Sequence, residues 1–217
     1  MNSEVKLFGL NDAGTLYSRE LNPKSQNGWK PILKIDKAKR LTAVGDVLYL
    51  HKDKPFSTGH TGTLSVRLAT ESPACEEIDT GHADDVTAMA SLGDRLYSCG
   101  PYFGQRSIDF KNHNWQLVDG GPGGFKAHCM TRLGRRLVAA HGPDKKHQLS
   151  EWSPGDAAWK PLGGASIEVV ALAAVDDTLY AVGPDGKFWT RQGKGNWELH
   201  GETAVGIVAL AAAPLAY

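Results

Sequence analysis

The residues of this chain that could do chemistry are histidines, carboxylates and aromatic side chains in Gly/Pro-rich stretches. The chain has eight histidines among its 217 residues. Aromatic rings together with His and Asp can bind the CH faces and hydroxyls of a sugar, and the same groups form protein-binding hot spots. Ten residues make up the candidate ligand-binding set: Phe56, His60, His82, Asp84, Asp85, Tyr102, Phe103, Phe125, His128 and Glu168.

Catalysis is the weakest of the functions considered. Asp85 and Glu168 are formal candidates for the acid and the nucleophile or base of a glycoside hydrolase. The equivalent positions elsewhere are Lys39 or Arg40, His128 and Gly206, so the pattern offers no third carboxylate. The sequence contains no nucleophile elbow, phosphate loop, dinucleotide motif or His-Glu-x-x-His motif. We therefore predict a protein that is not an enzyme, with no cofactor and no metal.

Charge limits the classes of possible partner, and cysteine content indicates the redox compartment. The 24 basic and 24 acidic side chains balance, which argues against nucleic-acid binding and against anionic membranes. No apolar run reaches the length of a membrane span. The three cysteines, Cys75, Cys99 and Cys129, form no Cys-x-x-Cys pair and read as free thiols. These features, with no signal peptide in view, predict a cytoplasmic protein or one exported without such a signal.

The elements that would position these residues come from an internal repeat. An apolar stretch, a tight polar turn and a Leu-Tyr or equivalent pair recur, with Tyr49, Tyr97, Val138 and Tyr180 spaced by 48, 41 and 42 residues. The midpoints are Gly-Asp, Gly-Arg or Asp-Asp, which are hairpin-turn residues between β-rich runs.

A second recurring unit follows, in which a Trp precedes an aliphatic residue. It occurs at Trp29, Trp115, Trp159 and Trp197, and Cys75 fills the same column without a Trp. A further strand lies between the two units, so each repeat has four short strands, as in a propeller blade. The five columns predict an all-β fold, a single five-bladed β-propeller of four-stranded antiparallel blades over residues 1–217.

The two ends of the chain predict how the ring closes. Residues Leu7 to Arg19 align with Leu179 to Arg191, so the chain begins at the second strand of a blade. The segment Gly206 to Ala213 resembles the innermost strand that starts at Val169. We expect this C-terminal strand to pair with the N-terminal blade and so to remove the open sheet edges.

The blade motif resembles the tachylectin and tectonin class of β-propeller lectins. Its elements are Leu-Tyr, a Gly/Asp turn, an aromatic-Thr-Arg strand and Gly-Asn-Trp-x-Leu, clearest over Thr178 to Gly201. The resemblance implies sugar binding between or above the blades. Gly81-His82 and the residues from Asp84 also resemble the start of a WD-type repeat.

Propeller topology places the candidate set on one side of the ring. The links from second to third strand and from each blade to the next share one face, here called the loop face, and most of the histidines fall there. We predict a non-catalytic carbohydrate-binding propeller that uses this face. The alternative is a protein-interaction module, with Phe56 and Phe103 in adjacent aromatic loops as a hot spot. Its partner is therefore a glycan or a protein.

Overall fold

The structure is a computed structural model of the chain. It describes residues 5–21, 28–36, 38–45, 47–52, 63–67, 74–78, 86–100, 103–107, 116–118, 127–141, 148–163, 167–203 and 205–214.

All the described regular structure is β-strand. The N-terminal sheet contains β1 (Val5–Asn11), β2 (Thr15–Glu20), β3 (Lys30–Lys34) and β20 (Ile207–Pro214). The next contains β4 (Ala38–Val44), β5 (Val47–Lys52), β6 (Thr63–Arg67) and β7 (Ala74–Ile78). Then come β8 (Ala88–Leu92), β9 (Arg95–Cys99), β10 (Phe103–Ser107) and β11 (Gln116–Leu117). The fourth sheet contains β12 (Ala127–Leu133), β13 (Arg136–His141), β14 (Gln148–Trp152) and β15 (Lys160–Pro161). The fifth sheet contains β16 (Ala171–Val175), β17 (Thr178–Val182), β18 (Lys187–Gln192) and β19 (Glu198–Glu202).

Each sheet is an antiparallel meander that begins with a tight hairpin. The first two strands of the four later sheets are joined by two residues, and the first turn residue takes a left-handed conformation, with φ of 58° at Gly45, 63° at Gly93 and 61° at Gly134. Glycine suits this position because it has no Cβ to clash. Asp176 adopts the same conformation with φ of 51°, which a short polar side chain tolerates.

The predicted ring closure is confirmed. Strand β20 pairs with β1 in antiparallel register, with Leu7 opposite Ala212 and Gly9 opposite Leu210. The innermost strands β4, β8, β12, β16 and β20 each pack against the next, and β20 returns to β4. The molecule is therefore a closed β-propeller whose first blade combines both ends of the chain.

The predicted count of five blades is corrected to four blades that are described in full, beside a fifth four-stranded sheet, β4–β7, that is described in part. Only the sheets that contain β1, β8, β12 and β16 have described side chains in all four of their strands. The β4–β7 sheet has the same strand order, but the side chains of β6 and β7 lie outside the described residues. The outer strands also differ, since β11 and β15 have two residues each whereas β19 has five. The spacing of the sequence repeats did not predict this difference in the length of the outermost strands.

The core lies between neighbouring blades. Separate apolar clusters join β1 and β2 to β4 and β5, β8–β10 to β12–β14, β12 and β13 to β16 and β17, and β16–β18 to β20 and β1. Each fully buried large apolar side chain contributes about 1.5–3 kcal/mol. This packing fixes the inner strands, and with them the hairpins that surround the central channel.

Candidate functional site

Five buried apolar residues form a ring around a narrow part of the central channel. One buried residue from each innermost strand forms this ring: Leu41, Met89, Met130, Leu172 and Leu210. A small chamber of about 20 Å³ lies at this level, and its wall includes Arg40, Thr87 and His128. The Nε of Arg40 donates to the carbonyl of Thr87 at 2.6 Å.

Beyond the ring the channel widens into a cavity of about 470 Å³, here called the funnel. It opens on the side that carries the hairpins between the first and second strands, which we call the hairpin face. Its wall is built from small and polar groups, among them Thr42, Ser91 and Thr131. The Oγ of Ser91 donates to the carbonyl of Ala43 at 2.7 Å and joins β8 to β4 at the wall.

A second cavity of about 470 Å³, here called the groove, adjoins the funnel between the β8–β11 and β12–β15 sheets. The two cavities share Arg132 and Gly134. Buried Leu92 and Tyr97 form the floor of the groove, and exposed Pro154 lies at its rim. The floor is thus largely apolar.

The funnel and the groove differ in the sign of the charge on their walls. The groove is lined by Arg95, Arg132, Arg135 and Asp94, so three positive charges minus one negative charge leave an excess of two positive charges. The funnel is lined by Arg132, Asp176 and Asp177, so one positive charge minus two negative charges leave an excess of one negative charge. Exposed Arg132 stands at the boundary.

Two of the neighbouring arginines are already engaged. The Nε of Arg132 donates to the carbonyl of Gly134 at 2.9 Å, which orients its guanidinium along its own hairpin. Arg136, the next residue after Arg135, forms an ion pair with Glu151 at 2.7 Å on the side of the blade. Arg95 and Arg135 form no ion pair with any described carboxylate. Arg95, Arg135 and the terminal nitrogens of Arg132 can therefore bind an anion without breaking a contact with a described residue.

Most of the sequence-predicted site lies outside the described residues. This is the case for Phe56, His60, His82, Asp84, Asp85, Tyr102 and Phe125. Their assignment to the loop face stays a prediction.

Phe103 requires a correction. The sequence suggested a loop aromatic without a core role, but Phe103 begins β10 and is only 5% exposed. Its ring stacks on Tyr97 at 5.8 Å between centroids and meets Trp152 edge-on at 5.2 Å and Trp159 edge-on at 5.6 Å. Phe103 is a core residue because the chain enters β10 earlier than the loop pattern indicated.

The other two described members of the set are separate from each other in the fold. His128 is exposed on β12 and lines the small chamber, whereas Glu168 is half-buried in the segment before β16. Other histidines bond within the sheets: Nε2 of His141 lies 2.7 Å from the hydroxyl of Ser150, and Nε2 of His200 lies 2.8 Å from that of Thr190. These two contacts hold neighbouring strands together.

The described thiols are suited to packing rather than to chemistry. Burial raises the pKa of Cys99 to about 12, and burial likewise raises the pKa of Cys129 to about 12. A thiol reacts as its thiolate, so both are inert near neutral pH. Cys129 lies in the wall of the small chamber but offers no nucleophile to it.

Two kinds of feature are absent from the described residues. No group of three or more His, Cys, Asp or Glu side chains there is placed to hold a metal ion. No helix in that part of the chain has the length and apolar character to cross a membrane.

The charges of the hairpin face are functional candidates that the sequence pattern did not single out. Arg135, Asp94, Asp176 and Asp177 were read as turn-forming residues, which they also are. The available signal was that the turn pair changes from Gly-Asp to Gly-Arg to Asp-Asp between repeats.

Comparisons with known proteins show the fold. A chain in a structure titled "Crystal structure of Nidogen/Laminin Complex" superposes with a TM-score of 0.62 at 10% identity, over 98% of this chain and 99% of that one. A computationally designed protein, Ika8, matches with a TM-score of 0.46 at 13% identity, over 96% of this chain and 62% of that one. At these identities the first likeness establishes the propeller fold alone. No protein-family model and no curated protein matches the sequence.

Proposed function

We propose that this protein is a non-catalytic, protein-binding propeller whose partner docks on the hairpin face. The observation that carries the proposal is the pair of adjoining cavities of opposite charge, the groove and the funnel, at one side of the ring. Loops and turns held by a rigid scaffold are the usual place for binding residues. The tight hairpins are already ordered, so the binding of a partner to them costs little backbone conformational entropy.

The asymmetry of the face favours a single partner. Arg132 lies two residues before the turn of its hairpin. The same position is Ala43, Ser91 and Ala174 in three other sheets, so of these four positions only that of Arg132 is charged. A multivalent lectin would be expected to repeat its contacts from blade to blade. One unique surface instead suits one unique partner.

The first structural likeness agrees with this reading. The similar chain belongs to a structure whose title names a nidogen/laminin complex, so a chain with this fold occurs within a protein complex. At 10% identity the likeness is an analogy of fold only, so the proposal of protein binding rests on the charged cavities.

Carbohydrate binding is the second candidate, because the blade motif resembles that of tachylectin and tectonin lectins. Sugar sites commonly place an aromatic ring against the CH face of the sugar. Among the described residues that line the funnel and the groove, the one aromatic residue is Tyr97 of the groove, and it is only 3% exposed. A glycan site therefore requires a different surface, such as the loop face.

The experiment is site-directed photo-crosslinking in cells that express the chain. A photoreactive amino acid replaces Asp94 or Asp177, both exposed on the hairpin face, or Lys30 or Glu202, both exposed on outer strands. We expect one protein adduct of defined mass from the hairpin-face positions only. Adducts of equal yield from all four positions, or from none, would overturn the proposal. A glycan array run in parallel identifies sugar binding directly, and a signal there without a protein adduct favours the second candidate.

A further inference from the structure

We infer that the groove binds an acidic peptide segment of the partner, with a basic residue of that segment directed into the funnel. This inference deepens the proposed function and rests on it. It assigns the chemistry of the partner from the charges that line the two cavities.

The positive charge of the groove favours an anionic ligand. Arg95, Arg132 and Arg135 face a single carboxylate, Asp94. Arginine presents a planar fork of donors that matches a carboxylate, and charge-assisted bonds of this kind are the stronger hydrogen bonds of proteins. The whole chain has no net charge, so this excess of positive charge is local rather than a consequence of composition.

The central arginine, Arg132, has a fixed geometry. Because Nε of Arg132 is bound to the carbonyl of Gly134, its guanidinium is held before any ligand arrives. No described residue accepts a hydrogen bond from its terminal nitrogens. Such an arginine loses little side-chain freedom on binding, which favours affinity.

The apolar part of the groove favours a peptide over a free anion. The floor of the groove is formed by Leu92 and Tyr97, with Pro154 at the rim. An apolar floor under a basic wall suits side chains of both kinds in one ligand, as in a segment that alternates Glu with Leu. At about 470 Å³ the groove is also far larger than a phosphate ion needs.

The charges of the funnel determine where the basic end of the segment lies. Asp176 and Asp177 in the funnel repel carboxylates and attract an amine or a guanidinium. The acidic residues should therefore lie over the groove, and a Lys or Arg at one end of the segment should reach past Arg132 into the funnel. The opposite orientation brings like charges together at both ends.

The test measures fluorescence anisotropy with the full chain and a labelled hexapeptide, Glu-Glu-Leu-Glu-Gly-Lys. Three reference peptides replace all Glu by Gln, all Glu by Lys, or the final Lys by Gln. We expect the acidic peptide to bind at least about tenfold more tightly than the Gln peptide, with affinity falling as salt rises. The double variant Arg95→Gln/Arg135→Gln should lose at least about tenfold in affinity.

A matched control removes equal charge elsewhere. Lys30→Gln/Lys34→Gln deletes two exposed cations on β3, and its affinity should stay within about twofold of wild type. Asp176→Asn/Asp177→Asn should abolish the preference for the peptide that ends in Lys over the one that ends in Gln. Equal melting temperatures of the four proteins confirm that folding is intact.

Several results would overturn the inference. These are no binding of the acidic peptide to wild type, an equal loss in the control variant, or displacement by inorganic phosphate or a sulfated oligosaccharide at lower concentration than the Gln peptide requires. A protein adduct at Asp94 or Asp177 without acidic-peptide binding would reject the inference and retain the proposed function. The absence of any hairpin-face adduct would reject the proposed function itself.

Discussion

The guanidinium carbon of Arg19 lies 4.7 Å from the centre of the Phe188 ring. Arg19 belongs to β2 of the first blade and Phe188 to β18 of the last, so this contact joins the two blades at the closure of the ring. The Trp29 ring stands 6.0 Å from the same carbon and meets Phe188 edge-on. Arg19 is only 8% exposed, and burial lowers its pKa. The closure therefore depends on this side-chain contact as well as on the pairing of β1 with β20.

Arg19→Ala should destabilise the folded protein by about 2 kcal/mol. The variant loses the attraction of the cation to both rings and the packing of the arginine stem. Arg19→Lys should recover only part of this, since an ammonium lacks the flat face that packs on a ring. Urea unfolding measures both effects.

The control is Lys30→Ala, which removes an exposed cation from the neighbouring strand β3. It should change stability by less than about 0.5 kcal/mol. A fall as large for Lys30→Ala as for Arg19→Ala would show that net charge, and not the contact with Phe188, is responsible.

The sequence predicted the hairpins and the closure because both depend on local signals. Turn glycines such as Gly45 and apolar runs such as Gly206 to Ala213 identify their roles from residue type alone. The role of Phe103 could not be predicted in this way, because it depends on Trp152 and Trp159 in the next sheet. The groove was missed for a related reason: Arg95 and Arg135 belong to different repeats and share a cavity only after the ring closes.

Gly9→Ala should destabilise the protein by about 1–3 kcal/mol. A Cβ at Gly9 would lie 2.6 Å from Cδ1 of Ile207 and 2.8 Å from Cζ3 of Trp29. The isoleucine methyl can rotate away, but the indole ring is part of the contact with Phe188 and Arg19. Chemical denaturation gives the change in the free energy of unfolding.

Gly28→Ala is the matched control for this substitution. A Cβ at Gly28 meets nothing within 4 Å, and its φ is not in the left-handed region. Its stability should be unchanged or slightly raised, because the unfolded chain loses freedom. Equal losses at Gly9 and Gly28 would refute the steric explanation.

Phe103→Ala should cost about 3–5 kcal/mol of stability, because it leaves a cavity among Tyr97, Trp152 and Trp159. Leu117→Ala tests the opposite case on the adjacent strand β11, where the side chain is 68% exposed. It should change stability by less than about 0.5 kcal/mol. If Phe103→Ala were as stable as wild type, Phe103 would be free to act as a surface contact after all.

The thiols of Cys99 and Cys129 should be silent toward a thiol-reactive disulfide reagent in the folded protein. With a pKa of about 12, only roughly 0.01% of each is thiolate at pH 8. The assay uses Cys75→Ser, since the side chain of Cys75 lies outside the described residues. Two thiols should then react in denaturant and none before it. Rapid labelling of either thiol without denaturant would contradict its burial.

Acidification should destabilise the protein through His141. Burial, and next the nearby His128, lower the pKa of His141 in the folded state. Between that lowered pKa and the ordinary value of about 6.5, the unfolded chain binds more protons than the folded chain. Stability from this group is therefore complete above about pH 6.5 and falls as the pH drops below it.

A set of three proteins isolates this effect. Urea midpoints at about pH 7.5 and about pH 5.5 should differ most for wild type, less for His128→Gln and least for His141→Gln. The order follows because His128→Gln removes only the second cause of the shift, whereas His141→Gln removes the titrating group. His141→Gln should also be less stable at the higher pH, since it alters the contact with Ser150. Equal pH dependence in all three proteins would assign the acid sensitivity to other groups.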